Sequence, residues 1–370
     1  MRNLCFLILV LAVALASPQV RAQESVGCLQ SLARANDEFS AGRFFGIPSI
    51  LSECLRNGFS NEQQVQAYLL LVQTYLILED PIAAEDSYLK LLRADPEYVP
   101  SPDKDPIDVV YLSKKFTATP IFTPHLRVGG NTSLVRTIYE INTEPYAVNR
   151  KNGLKGGYQI GAGIDWNISD HLSIAGELDF SFRSYQTTKT GISALDEQTF
   201  TEKQFWFDVP VYIKYRDNFG KVRPFGYVGF ALNLLVGAEG SIETINSTAN
   251  EGQVPTVGPD EKLGYKRNFL NTSFLVGGGT YYKIGRDFLF VDLRYMGGLT
   301  NITKEETNYY ADGSELLTGT AARYRWVGDY FRLDNLALSV GYVRPLYNPR
   351  KIKRKANTKK VMREISQDND

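Results

Sequence analysis

Eleven charged residues recur on one parity of short alternating segments in the second two thirds of the chain: Arg127, Asp165, Glu177, Asp179, Arg183, Asp208, Lys214, Arg216, Lys283, Asp292 and Arg294. Brought together away from water, six bases and five acids form either a proton or ion path or a set of structural ion pairs. Other chemistry is sparse. The two histidines, His125 and His171, stand at the ends of alternating segments away from the long polar connections, and no nucleophile elbow or Ser/His/Asp spacing accompanies them. With 3 Cys, 3 Met and 2 His, no metal site and no cofactor is expected. Asp312-Gly313-Ser314-Glu315 and Gly258-Pro259-Asp260-Glu261 lack the ligand ladder of a calcium loop and read as turns. Lys plus Arg equal Asp plus Glu at 41 each, so no nucleic-acid partner is indicated, and nothing identifies a small-molecule substrate.

The elements carrying these charges have a period of two. In Leu172 to Arg183, Leu172, Ile174, Leu178, Phe180 and Phe182 alternate with Ser173, Ala175, Glu177, Asp179, Ser181 and Arg183. The same sorting recurs around Asp208 and Lys214, around Asp292 and Arg294, and in Leu336 to Tyr342. Eight such strands are placed near 124–135, 155–167, 170–184, 202–216, 222–238, 268–284, 286–299 and 330–347. Their connections alternate: Ser169-Asp170, 217–221 and Gly285-Arg286 are tight, whereas 136–154, 185–201, 239–267 and 300–329 are long and polar. That asymmetry and the even strand number are those of an outer-membrane barrel with short periplasmic turns. The polar parity mixes charges with Gly161, Gly163, Gly277, Gly279 and Gly341, as crowding inside a narrow barrel demands, so the oily parity faces lipid. Eight strands leave room for side chains and not for an aqueous channel, which favours structural ion pairs over a path.

Phe207-Asp208-Val209-Pro210-Val211 leading to Lys214-Tyr215-Arg216, then Val222-Arg223-Pro224-Phe225, and a terminal Gly341-Tyr342 strand closing at Tyr347 carry a resemblance to the outer membrane protein β-barrel family of small OmpA/OmpX-type barrels. The resemblance implies an outer-membrane location; such barrels serve as anchors, adhesins, secretion accessories and occasional enzymes. The proteases and acyltransferases among them work through histidines at the extracellular side. Here both histidines map to the opposite end, so no enzyme is expected.

Upstream, Arg2, the apolar run Leu4 to Ala16 and Val20-Arg21-Ala22 read as a signal peptide over 1–22. Helical periodicity then runs from 61 to 95, broken at Asp80-Pro81. Tyr68, Leu71, Tyr75, Ala84, Tyr88 and Pro96 fall at the packing positions of a tetratricopeptide unit, which this stretch resembles. A weaker unit passes through Ala33, Phe39, Gly42, Phe44, Ile50, Leu51 and Leu55. Cys28 and Cys54 are the cysteines left after cleavage; an oxidising periplasm predicts a bridge, the alternative being two buried thiols.

The expected organisation is therefore multi-domain: a signal peptide over 1–22, a small all-α tetratricopeptide-like module over 23–115, a Pro-containing linker over 116–123, an all-β eight-stranded antiparallel transmembrane barrel over 124–347 and a basic tail over 348–370. Module and tail would lie in the periplasm. The tail either contacts anionic headgroups or a partner's acidic face, or extends into solvent. The function expected is a non-enzymatic outer-membrane anchor for a module binding a periplasmic or outer-membrane protein, with the lipid bilayer as the other partner. An adhesin or receptor acting through the long loops is the alternative.

Overall fold

The computed structural model describes residues 26–141, 148–191, 196–218, 220–246, 254–308 and 326–352. The signal-peptide reading, the Asp312-Gly313-Ser314-Glu315 turn and the tail beyond 352 lie outside them. The chain divides into two compact units, 1–119 with 347–370, and 120–346.

Among its described residues the first unit has five helices: α1 (Val26–Ser40), α2 (Ile47–Asn57), α3 (Asn61–Ile77), α4 (Pro81–Ala94) and α5 (Ile107–Ser113). Their starts follow from local chemistry. Ser60 Oγ accepts from the Gln63 N–H at 3.3 Å while the Gln63 side chain accepts from the Ser60 N–H at 2.9 Å, a capping box that starts α3. Asp80 accepts from the Ala83 N–H at 3.0 Å with Pro81 at the first position of α4, where its missing N–H has no bond to lose. Of the six residues at tetratricopeptide-like packing positions, Leu71, Ala84 and Tyr88 are buried and Tyr68, Tyr75 and Pro96 are half-buried. In α1 the inward residues are Leu32 and Ala35, and Ala33 faces solvent, one position off the sequence reading. Cys28 and Cys54 form a disulfide between α1 and α2, closing a loop with a sequence separation of 26. In the chain-entropy account such a loop contributes roughly 3 kcal/mol. Gly58 leaves space for it: a Cβ there would meet Cys28 Sγ at 2.6 Å.

The beginning of the basic tail is part of this unit. Arg350-Lys351 forms a short antiparallel ladder with Phe116-Thr117, continued by a hydrogen bond from the Ile352 N–H to the Lys115 carbonyl at 2.8 Å. Glu85 of α4 receives Lys351 at 2.5 Å and Lys115 at 3.2 Å, and the Tyr347 hydroxyl donates to Glu97 at 2.7 Å. The stretch read as a linker thus contributes Phe116-Thr117 to the helical unit, and Arg350-Lys351 at the start of the tail pair with it.

The hydrogen bond from Lys351 holds the Glu85 carboxyl below its usual range, against the opposing effect of burial. A carboxylate depressed in the folded state stabilises above its unfolded pKa, near 4.3, and ceases to as pH falls through the folded value. At neutral pH Glu85→Gln should speed hydrogen exchange of the Ile352 amide by up to about fivefold, since partly exposed pairs contribute up to ~1 kcal/mol. At pH 3, measured against intrinsic rates, the gap between the two proteins should close. An unchanged rate at neutral pH would show that the ladder holds without the ion pair.

Among the described residues of the second unit eight long antiparallel strands pair in sequence order: β1 (Phe122–Tyr139), β2 (Gly156–Asn167), β3 (Leu172–Thr190), β4 (Asp196–Arg216), β5 (Val222–Asn246), β6 (Leu270–Ile284), β7 (Asp287–Gly298) and β8 (Tyr330–Val343). Pairing of β8 with β1 closes the ring, so no edge is left open. Short strands at 149–154, 254–257 and 261–262 extend it at the end of the long connections, here the loop end. At the opposite, turn end, Gly285 takes a φ of 63° between β6 and β7, a left-handed conformation that favours glycine.

The strands overrun their expected ends. Residues 185–190 and 196–201, read as loop, continue β3 and β4, and β5 runs to Asn246. There the alternation persists but Gln186, Thr188, Thr190, Thr199 and Thr201 replace the oily partners, so the apolar period fades while the ladder does not. Leu126, Val128, Ile160, Leu178, Phe230 and Leu338 point outward and are exposed, forming the apolar belt; nine of the eleven residues of the charged parity are buried. Among the described residues no helix is long and apolar enough to cross a membrane.

Candidate functional site: the barrel lumen

Inward side chains stack in three layers between the turn end and the loop end. Nearest the turns lie aromatic residues, with Phe225 and Tyr281 centroids 4.3 Å apart and Tyr212 and Tyr227 4.6 Å apart. At the loop end a second apolar cluster holds Tyr185 against Phe331 at 5.2 Å and Phe200 against Trp326 at 5.1 Å. Between them sit the charges.

Glu177 of β3 is the hub. Its carboxylate accepts from Arg294 Nη1 at 2.7 Å, from Arg127 Nη1 at 3.2 Å and from the Tyr212 hydroxyl, and lies 2.9 Å from His125 Nε2. Arg127 also donates to Asp292, which receives the Tyr227 hydroxyl at 2.8 Å; that hydroxyl accepts from Arg294 Nε at 3.0 Å. Arg294 donates to Asp179 Oδ2 at 3.1 Å as well. Toward the turns, Lys214 Nζ donates to both oxygens of Asp165, at 2.9 and 2.7 Å, and to the Tyr281 hydroxyl at 3.1 Å. His125 Nδ1, 3.6 Å from Asp165, joins this group to the hub. A third group pairs Arg183 with Asp208, which also accepts from Ser181 at 2.8 Å and Asn233 at 2.5 Å.

Nine of the eleven charged residues singled out in the sequence therefore meet in the lumen. Arg216 and Lys283 do not belong to this network. Both are half-buried at the turn end; Arg216 Nε donates to the Asp170 carbonyl at 2.9 Å. Parity fixes a residue's side and leaves its depth open, and these two stand where the strands run out. His125, Tyr212, Tyr227 and Tyr281 were missed because charge alone was weighed, although Tyr212 shares its parity with Asp208 and Lys214. A buried pair at the loop end was missed too: Arg267 reaches Glu202 with two bonds of 2.9 and 2.6 Å, while Tyr185 and Gln204 donate to the same carboxylate at 2.5 and 2.7 Å. Arg267 fell in a stretch read as loop, and Glu202 stands at the very start of the strand read over 202–216.

The lumen is full. A cavity of about 10 Å³ lies among His125, Arg127, Glu177, Tyr212, Lys214 and Arg294, room for about one water molecule. Inward glycines create the space the charges occupy: a Cβ on Gly161 would fall 1.7 Å from Asp179 Oδ1, and one on Gly163 would fall 2.6 Å from His125 Nε2. Among the described residues no group of His, Cys, Asp and Glu could hold a metal ion. His171 is exposed at the turn end, its Nδ1 3.1 Å from the Arg216 carbonyl.

No curated protein matches the chain in sequence. Solved structures similar to it include Neisserial surface protein A, at 11% identity over 61% of this chain and 97% of the other with a TM-score of 0.30. OprG from Pseudomonas aeruginosa shows 10% identity over 64% and 99% with a TM-score of 0.32. Ail, the attachment invasion locus protein of Yersinia pestis, shows 13% over 60% and 98% with a TM-score of 0.24. None of these likenesses says what this chain binds. Residues 123–304 match the family described as outer membrane protein beta-barrel domain, a match that implies a place in the outer membrane.

Proposed function

We propose that the protein is a non-enzymatic anchor: the barrel holds the helical unit at the outer membrane, and that unit, tetratricopeptide-like in its packing positions, binds a protein partner in the periplasm. An accessory role in an envelope or secretion machine fits this reading. The filled lumen carries it. Among the described residues, paired charges between two aromatic layers occupy the interior, which supports assigning recognition to what lies outside it. Repeat-like helical pairs offer grooves to peptides.

A second reading, a receptor or adhesin, has support in the loop end, where β3, β4 and β5 run on beyond the charged layer around their own apolar cluster. Such a core would present the loops on a rigid platform. One experiment separates the two. Crosslinking in intact cells with the full chain, and with a chain lacking residues 23–115, should show partners lost with the helical unit, while heat-modifiable gel mobility reports that the barrel still inserts. If the shortened chain keeps every partner, or deletions in the loops remove them instead, the receptor reading replaces the anchor.

A further inference from the structure

On the outward face near the loop end, Arg136 of β1 and Arg332 of β8 stand directly opposite each other in the strand register. Like charges so placed repel, and the barrel neutralises them unequally. Arg136 donates to Asp334 Oδ1 at 3.0 Å and to the Gly298 carbonyl at 2.7 Å. Asp334 is further engaged by the Tyr295 hydroxyl at 2.8 Å and the Gly298 N–H at 2.9 Å. Arg332 makes no hydrogen bond or ion pair with any described residue, and its Nε is shut off from solvent without a partner. Asp334 thus answers Arg136, and the charge of Arg332 has no partner among the described residues.

Their height on the barrel suggests what supplies the missing negative charge. Along β8, Leu336, Leu338 and Val340 face outward, with Tyr342 at the turn end of this row. Arg332 lies ten positions from Tyr342 in the same strand. At a rise of about 3.3 Å per residue and a tilt near 40°, that separates them by about 25 Å along the barrel axis, one thickness of the apolar belt. Exposed Leu134 and Ile138 flank Arg136, and the Tyr139 and Tyr330 rings lie 6.3 Å apart just beyond. The pair therefore sits where hydrocarbon gives way to headgroups.

We propose that Arg136 and Arg332 form a fork that holds the phosphate of a phosphorylated lipid headgroup at the loop-end surface of the membrane. The planar guanidinium matches a phosphate with parallel donors, and the phosphate relieves the repulsion across the strands. A soluble phosphate has the same chemistry, but the two arginines share the outward face with exposed Leu134, Ile138 and Leu336.

The test uses the full chain in phosphatidylcholine nanodiscs doped with diphosphoryl lipid A or with the same lipid stripped of its phosphates, read by native mass spectrometry. The phosphorylated lipid should be retained and the stripped one released. Arg332→Gln, which breaks no bond within the described protein, should weaken retention about tenfold, the loss of one charge-assisted contact. Arg332→Lys should keep part of it. Equal retention of both lipids by the unaltered protein overturns the proposal whether or not any variant folds, as does full retention by a folded Arg332→Gln. Displacement by inorganic phosphate at concentrations comparable with the lipid would assign the fork to a soluble anion and overturn it equally.

Discussion

Glu177→Leu should prevent the barrel from reaching its compact, heat-modifiable form, or bring its urea midpoint down further than any single outward substitution. The carboxylate it removes is the shared acceptor of Arg127, Arg294 and Tyr212 and lies beside His125. Breaking one buried ion pair by removing a partner costs roughly 3 to 5 kcal/mol, because the other charge stays where water cannot reach it. Here two guanidiniums lose an acceptor, in a protein whose folded state is stable by about 5 to 15 kcal/mol if it resembles others.

The comparison that gives this result its meaning runs along the same strand. Leu178 is 55% exposed on the outward face, so Leu178→Ala removes contact with lipid and leaves the lumen intact; its effect should be small. Asp292→Leu should fall between, since Asp292 serves Arg127 and Tyr227 alone. Glu177→Gln keeps the shape and an acceptor while losing the charge, and should be milder than Glu177→Leu. If folding tolerates Leu at both 177 and 292 but not Asp at 178 or 293, the lumen is not held together by these pairs.

How far this site was legible beforehand depends on what a period of two can carry. Alternation of Leu172, Ile174, Leu178 and Phe180 with Ser173, Glu177 and Asp179 is enough to set strand and face, because one residue of slip would turn every charge toward lipid. Inward glycines such as Gly161 and Gly163 identify the crowded side. Partner choice is different. Arg294 meets Glu177 across 117 positions of sequence, and which acid a base reaches is decided by stagger around the closed ring, a quantity that no single strand encodes. Depth is equally silent, which is why Arg216 and Lys283 shared the parity without sharing the network. The ladder of Arg350-Lys351 with Phe116-Thr117 was hidden for another reason: one side lies in a run of lysine and arginine that reads as solvated, the other between prolines that discourage a strand.

Asp179 provides the other large effect, and a rescue. The network sets four cations, Arg127, Arg183, Lys214 and Arg294, against five carboxylates, Asp165, Glu177, Asp179, Asp208 and Asp292. Asp179 is the least engaged of the acids: Oδ2 receives Arg294 at 3.1 Å, and Oδ1 is buried without a hydrogen bond. Gly161, directly opposite in the β2–β3 register, holds open the space that Oδ1 occupies. Gly161→Ala would place a methyl group 1.7 Å from that oxygen, so the carboxylate must swing away from Arg294 or the strands must part. Overpacking alone costs about 1 to 3 kcal/mol, and loss of a buried pair roughly 3 to 5 kcal/mol where the pair breaks completely. Gly161→Ala should therefore be severely destabilised. Asp179→Ala should be the best tolerated of the five acid-to-alanine changes, because Arg294 keeps Glu177 and the count becomes four against four. Combined, the two should be far more stable than the sum of their separate losses predicts, a coupling that a double-mutant cycle in urea reads directly. Additive losses would mean that the clash is relieved through the backbone, and that Gly161 serves strand geometry and not the acid facing it.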